Sequence, residues 1–132
     1  MIITQTPLRI SFAGGLTDIP AFYEKYGGCV VSTTIDKYIF VIINERFDDK
    51  IYINYSQKEI VDSVADIKHD LVREAMIMTG VTGGVEITTL ADVPSEGSGL
   101  GSSSSVTVGL LNALYAFQGE VKPAGCLAEQ AS

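Results

Sequence analysis

Apolar and polar positions alternate along much of the chain, and where the alternation changes period the element type changes with it. Residues 2–12 read as a strand, alternating from Leu8 onward. Pro7 cannot donate to a ladder, which marks an edge position or a bulge. Ala13-Gly14-Gly15-Leu16 then makes a tight turn, and Thr17-Asp18-Ile19-Pro20 reads as a helix start with proline in the first turn. The short helix that follows, roughly residues 19–26, stops at Gly27-Gly28. Residues 29–35 and 38–46 are rich in Val, Ile, Thr and aromatic side chains and predict two strands joined by a tight turn at Asp36-Lys37. After a turn at Asp48-Asp49-Lys50, residues 51–55 alternate cleanly as a further strand, whereas 56–64 fit neither period. Ile67, Leu71, Val72, Ala75, Met76 and Met78 fall near the helical period over 66–79, with Gly80 as the stop. Residues 85–90 predict the last strand. A helix over 106–117 carries Val106, Leu110, Ala113, Leu114 and Phe117 on one face, and a final helix spans 124–132. Several strands, a helix, a strand and a helix predict an α+β fold with a mixed or antiparallel sheet.

Between the last strand and the 106–117 helix lies Pro94-Ser95-Glu96-Gly97-Ser98-Gly99-Leu100-Gly101-Ser102-Ser103-Ser104-Ser105. Glycines permit close backbone approach, and serines cap a helix or present hydroxyls beside its unpaired N–H groups. A helix N-terminus carries roughly half a positive charge, so this stretch has the makings of an anion site. The plain alternative is a Gly/Ser loop that merely enters a capped helix. No lysine lies between Lys68 and Lys122, which excludes a Walker A loop, and Gly97, Gly99 and Gly101 give neither the dinucleotide fingerprint nor the protein-kinase glycine loop.

Composition narrows the partners. The 132 residues suffice for one domain with one core, and 46% hydrophobic with 19% charged residues is the balance of a globular chain. A net charge of −7 and the lack of any Lys/Arg block argue against a nucleic-acid partner, so an anion would have to be held locally, by backbone N–H groups and a cation such as Arg9. No apolar stretch approaches the roughly twenty residues of a membrane span, and the N-terminal run lacks the build of a secretory signal. Cys29 and Cys126 show no metal-ligand spacing and read as two buried thiols of a cytoplasmic protein. His69, the single histidine, sits in a polar stretch and reads as a solvated helix residue rather than a catalytic base.

Two stretches carry a family resemblance. The Gly/Ser loop resembles the second motif of the GHMP kinases, and Pro7-Leu8-Arg9-Ile10-Ser11-Phe12-Ala13-Gly14-Gly15-Leu16-Thr17-Asp18 resembles the first. The resemblance implies a fold like the second domain of ribosomal protein S5, with residues 1–132 as the N-terminal ATP-binding domain of a longer kinase. The family's downstream catalytic aspartate, metal-binding glutamate, third glycine motif and C-terminal domain would lie outside the chain. On this resemblance ATP and Mg²⁺ are the cofactors. Arg9 is the catalytic cation that stabilises the transferring phosphoryl group. Gly14, Gly15, Thr17 and Asp18 contact the sugar. Gly97, Gly99, Leu100, Gly101, Ser102, Ser103 and Ser104 hold the ATP phosphates, with Ser103 also on the metal side.

The residues themselves leave blander roles open: Arg9 as a surface ion pair, Asp18 as the N-cap of the Ile19 helix, Gly14-Gly15 as a turn. Two glycines leading into Leu-Thr-Asp-Ile-Pro resemble most the branch of the family that phosphorylates the anomeric hydroxyl of heptose 7-phosphate. Fucose, galactose and mevalonate are the alternative acceptors, and a non-catalytic nucleotide- or sugar-binding module is the alternative class. With the downstream catalytic residues outside the chain, weak or no turnover is expected of the 132 residues, and a domain cut within a helix would expose apolar surface, so homodimerisation is expected as well.

Overall fold

The computed structural model describes residues 1–13, 19–94, 100, 102–120 and 122–131. Their order is β1 (Ile2–Ala13), α1 (Pro20–Tyr26), β2 (Val31–Glu45), β3 (Ile51–Asn54), β4 (Lys58–Val61), a single 3-10 turn at Val64–Asp66, α2 (Asp70–Thr79), β5 (Val85–Ala91), α3 (Ser102–Phe117) and α4 (Ala124–Ala131). The five strands form one mixed sheet in the order β1-β2-β5-β3-β4. β5 runs antiparallel to β2 and parallel to β3, and the connection between the parallel pair carries β4 and α2.

One face of the sheet is the core face. Ile2, Ile43, Ile87 and Ile53 align across four strands in register. Of these, Ile43, Ile53 and Ile87 are fully buried together with Val41, Ile51 and Val85. Helices α2 and α3 cover this face with Val72, Met76, Leu110 and Leu114, and α4 adds Leu127 behind α3. The other face stays open, with Ile3, Ile60 and Leu90 each more than half exposed. There Arg46 lies flat on the Tyr52 ring, 3.5 Å from its centroid, and pairs with Asp48 and Glu86.

Three expectations change. Residues 31–45 are a single strand rather than two. Pro7 pairs with Tyr38 and Arg9 with Thr34, so Ile35, Asp36 and Lys37 together face Leu8 alone. Asp36-Lys37 is therefore a bulge, because β1 is long enough to hold the ladder on both sides of it. The apolar helix expected from residue 66 begins only at Asp70, after the 3-10 turn. The two thiols are not both buried: Cys29 is exposed and Cys126 half-buried. Residues 56–64 resolve into the hairpin of β3 with β4, in which Ile53 pairs with Glu59.

Pro7 sits at an edge strand next to the register break, as its missing N–H requires. Helix α1 ends at Gly27 with φ +74°, a left-handed conformation that glycine adopts without strain. Its N-cap position is Ile19, which makes no side-chain cap hydrogen bond, and Asp18, to which the sequence offered the capping role, lies outside the described residues.

Candidate functional site

The two motif stretches meet at β1. The Arg9 amide donates to the Leu100 carbonyl at 3.0 Å, and one turn into α3 the Ser105 hydroxyl donates to the Pro7 carbonyl at 3.2 Å. Further along α3, the Thr4 hydroxyl donates to the Gly109 carbonyl at 3.0 Å. Gly109 makes the approach possible. A Cβ there would stand 3.0 Å from the Thr6 hydroxyl and 3.2 Å from a Val41 methyl, so a larger residue would crowd α3 against the sheet. The helix is thus pinned to β1 at two points, and Leu100 just ahead of it at a third. Its N-terminal turn, Ser102 half-buried with Ser103 and Ser104 exposed, opens beside Arg9 rather than at a distance from it.

A cavity of about 530 Å³ lies at this end of the molecule, a size ordinary for a small-molecule site. It is lined by Ser102, Ser103 and Val106 of α3, by Thr89, Ala91 and Val93 at and beyond the end of β5, and by Tyr55, Ser56, His69 and Leu71. Two helix N-termini therefore converge on it, that of α3 at Ser102 and that of α2 at His69. The α2 end is met by the Glu59 carboxylate, so the α3 end is the one whose positive dipole favours an anion, although the chain carries −7 overall.

The Tyr55–His69 wall is held by one carboxylate. Glu59 is 9% exposed and accepts from the Lys68 amide at 2.7 Å, the His69 amide at 3.2 Å and the Tyr55 hydroxyl at 2.9 Å. Burial pushes its carboxyl up. The Lys68 amide, the Tyr55 hydroxyl and the His69 amide outweigh this and hold it below the usual range. The Tyr55 phenol is raised, by burial first and then by its bond to Glu59. His69 is the N-cap of α2: its Nδ1 accepts from the Val72 amide at 3.4 Å, which leaves the proton of a neutral ring on Nε2. Its ring meets that of Tyr55 edge to face, with centroids 4.7 Å apart. His69 is therefore a half-buried capping residue of the cavity wall, and the expectation of a solvated helix position does not hold.

Of the residues singled out from the sequence, Arg9, Leu100, Ser102, Ser103 and Ser104 are brought together at the β1–α3 junction, with the Arg9 side chain exposed. Gly14, Gly15, Thr17, Asp18, Gly97, Gly99 and Gly101 lie outside the described residues. Among the described residues no cluster of three or more His, Cys, Asp or Glu side chains gathers as a metal centre. The Ser103 hydroxyl, exposed at a helix start, is a hard oxygen of the kind that magnesium takes alongside phosphate oxygens and water. Among the described residues no helix is long and apolar enough to cross a membrane.

Sequence reasoning missed Tyr55 and Glu59 altogether, and it missed the part that His69 plays beside them. Glu59 alternates with Ile60, and patterning alone sends Ile60 inward. The pairing of Glu59 with Ile53 turns it the other way, leaving Ile60 51% exposed. Only the cross-strand register carries that information.

Residues 67–131 match the family model described as the GHMP kinases N terminal domain. The chain is 40% identical to a D-glycero-alpha-D-manno-heptose 7-phosphate kinase of Campylobacter jejuni, a match covering 85% of this chain and 36% of that protein. Its structure matches the crystal structure of a D-glycero-D-manno-heptose 1-phosphate kinase from Bacteroides thetaiotaomicron with a TM-score of 0.86 and 26% identity, covering 99% of this chain and 46% of the other. It also matches a Campylobacter jejuni protein described as a candidate sugar kinase, with a TM-score of 0.79 and 30% identity over 98% of this chain and 43% of that one. The chain thus spans less than half the length of these relatives. The paired motifs at β1 and α3, the mixed five-stranded sheet of the ribosomal S5 domain 2-like type and these matches make the chain a member of the GHMP kinase family, carrying its N-terminal domain.

Proposed function

We propose that residues 1–132 are the nucleotide-binding part of an ATP-dependent sugar kinase whose acceptor is a heptose phosphate, with the phosphoryl group going to the anomeric hydroxyl of heptose 7-phosphate. The observation that carries the reading is the clamp between Pro7–Arg9 and Leu100–Ser105, which ties the strand bearing Arg9 to the entry of α3, whose first turn lines the cavity. In that arrangement the Ser102–Ser104 turn binds the phosphates of ATP through its N–H groups and hydroxyls. Mg²⁺, held in part by Ser103, neutralises charge on the phosphates when bound. Arg9 offers a permanently charged, planar donor fork to the group in transfer. The cavity walls exclude water from the nucleotide. Phosphoryl transfer depends mostly on such positioning and charge stabilisation, so little covalent chemistry is asked of the protein. Gly14, Gly15, Thr17 and Asp18 take the sugar in this reading, and an ATP-consuming step suits the cytoplasm.

The two named relatives differ in the phosphate that their substrate already carries, at carbon 7 in one and carbon 1 in the other. The acceptor offered therefore has to tell the two readings apart. The test is ADP release by the full-length gene product with ATP and Mg²⁺, offered heptose 7-phosphate, heptose 1-phosphate, fucose, galactose and mevalonate in turn. Turnover confined to heptose 7-phosphate, lost in Ser103→Ala and Arg9→Ala, is the expected result. Turnover only with heptose 1-phosphate would move the transfer to the other end of the sugar. Silence with every acceptor while ATP still binds would turn the reading into a binding module.

A further inference from the structure

We infer that Glu59, a residue that does not line the cavity, positions the wall against which the base of the nucleotide packs; this rests on the nucleotide reading above. Its two oxygens gather three donors from two separate elements, the Tyr55 hydroxyl at the end of β3 and the Lys68 and His69 amides ahead of α2. Those elements meet nowhere else through side-chain hydrogen bonds to a shared group among the described residues. The Tyr55 and His69 rings, edge to face at 4.7 Å, line the same cavity as Ser102 and Ser103 of the first turn of α3. A nucleotide whose phosphates lie at that turn has its base at the Tyr55–His69 wall. The wall is aromatic and offers the Nε2–H of His69 as a donor, which suits a flat heterocycle.

The orientation of both rings depends on Glu59. Tyr55 is restrained by its hydroxyl, and His69 is restrained twice, by its own amide on Glu59 and by the cap that its Nδ1 supplies to α2. A carboxylate at this point also lies at the positive end of the α2 dipole, which favours its ionised form and keeps all three donors engaged. Glu59 is thus a positioning residue: it touches no ligand and acts through the two that do.

The consequence separates base from phosphate. In the full-length gene product, dissociation constants with Mg²⁺ are measured for ATP and for inorganic tripolyphosphate, which shares the phosphates and lacks the base. Tyr55→Phe keeps the ring and removes only its bond to Glu59, so ATP affinity falls about tenfold, the loss of one hydrogen bond to a charged group, while tripolyphosphate affinity stays within about twofold. Glu59→Gln gives an ATP loss of about tenfold or more, because a side-chain amide places a donor against donors, and again spares tripolyphosphate. Equal weakening of both ligands would overturn the inference, since Glu59 would then only hold the fold together. Unchanged ATP affinity in Tyr55→Phe would overturn it too, with the nucleotide site left intact. A wild-type protein that binds ATP no more tightly than tripolyphosphate would overturn the base site itself, and with it the role given to Glu59.

Discussion

The helix-covered half of the sheet and the distal half of the β1–β2 ribbon are built from similar residues to opposite ends. In the first, Leu8, Val41, Ile43, Ile53, Ile87, Leu110 and Leu114 have no exposed surface at all. In the second, every described residue of 9–13 and 19–34 is exposed, including Phe12 at 67%, Phe22 at 42% and Tyr26 at 74%. No residue of α1 is buried. The phosphate-side candidates Ser102–Ser104 grow out of the packed half, and the sugar-side candidates belong to the stretch between β1 and α1. The difference teaches that this chain organises its α3 end by its own packing, while the other end has an apolar surface with no counterpart among the described residues.

The largest effects should come from the packed half. Leu110→Ala removes most of a fully buried side chain where α3 lies over the sheet, and should cost about 2–5 kcal/mol of unfolding free energy in urea titrations. Gly109→Val comes next, for the opposite reason. Its Cβ would meet Thr6 and Val41 inside ordinary contact distance, and two further methyl groups force α3 away from β1, at a cost of about 1–3 kcal/mol. The same displacement should stretch the bonds from Arg9 to Leu100 and from Ser105 to Pro7. ATP binding should therefore weaken more than stability alone explains, which parallel titrations would reveal.

Glu59 gives an effect of similar or smaller size with a pH signature. Its folded carboxyl is held below the ordinary range, so its bonds stabilise the protein fully above the unfolded value, and that stabilisation is lost as pH falls through the depressed folded value. At neutral pH Glu59→Gln should cost about 1–3 kcal/mol, the range for stranding a buried donor. The gap between wild type and variant should narrow as the pH is lowered past the usual carboxylate range. A gap independent of pH would mean that the three hydrogen bonds matter and the charge does not.

Much of the packed half was legible in the sequence and little of what shapes its cavity. The alternation of Ile51 and Ile53 and the helical period around Leu110 are enough by themselves to assign those residues to the core, where they lie fully buried. The stripe of α3 is nevertheless wider than expected, with Ser105, Gly109, Leu111 and Tyr115 buried as well, because the helix contacts β1, β2, α2 and α4 at once. A single-face pattern cannot report four neighbours. On α2, Met78 turns outward at 50% exposure, because it lies two residues, a little over half a turn, from the buried Met76. Asp36-Lys37 has the look of a turn and becomes a bulge because a distant strand outlasts it. The Glu59 bonds join positions up to ten residues apart through a register that only pairing decides. The two motifs, by contrast, were readable as chemistry, and the structure adds that Pro7–Arg9 and Leu100–Ser105 touch.

The smallest effect belongs to the ribbon, and it is the one that tests the comparison most directly. Phe22 is exposed on α1 and stacks against the Tyr26 ring, tilted at 5.2 Å between centroids. In the 132-residue chain Phe22→Ala should therefore change stability by less than about 0.5 kcal/mol, as surface substitutions do, although phenylalanine to alanine in a core costs several times more. The same substitution in the full-length gene product has a different expectation wherever additional chain covers α1, because the ring would then be part of a packed interface. Hydrogen exchange supplies the second reading. Amides of α1 and of the distal ends of β1 and β2 should exchange through small local openings in the short chain, while those of α3 and β5 should require openings near the global unfolding free energy. Protection of α1 equal to that of α3 in the short chain would erase the distinction between the two halves.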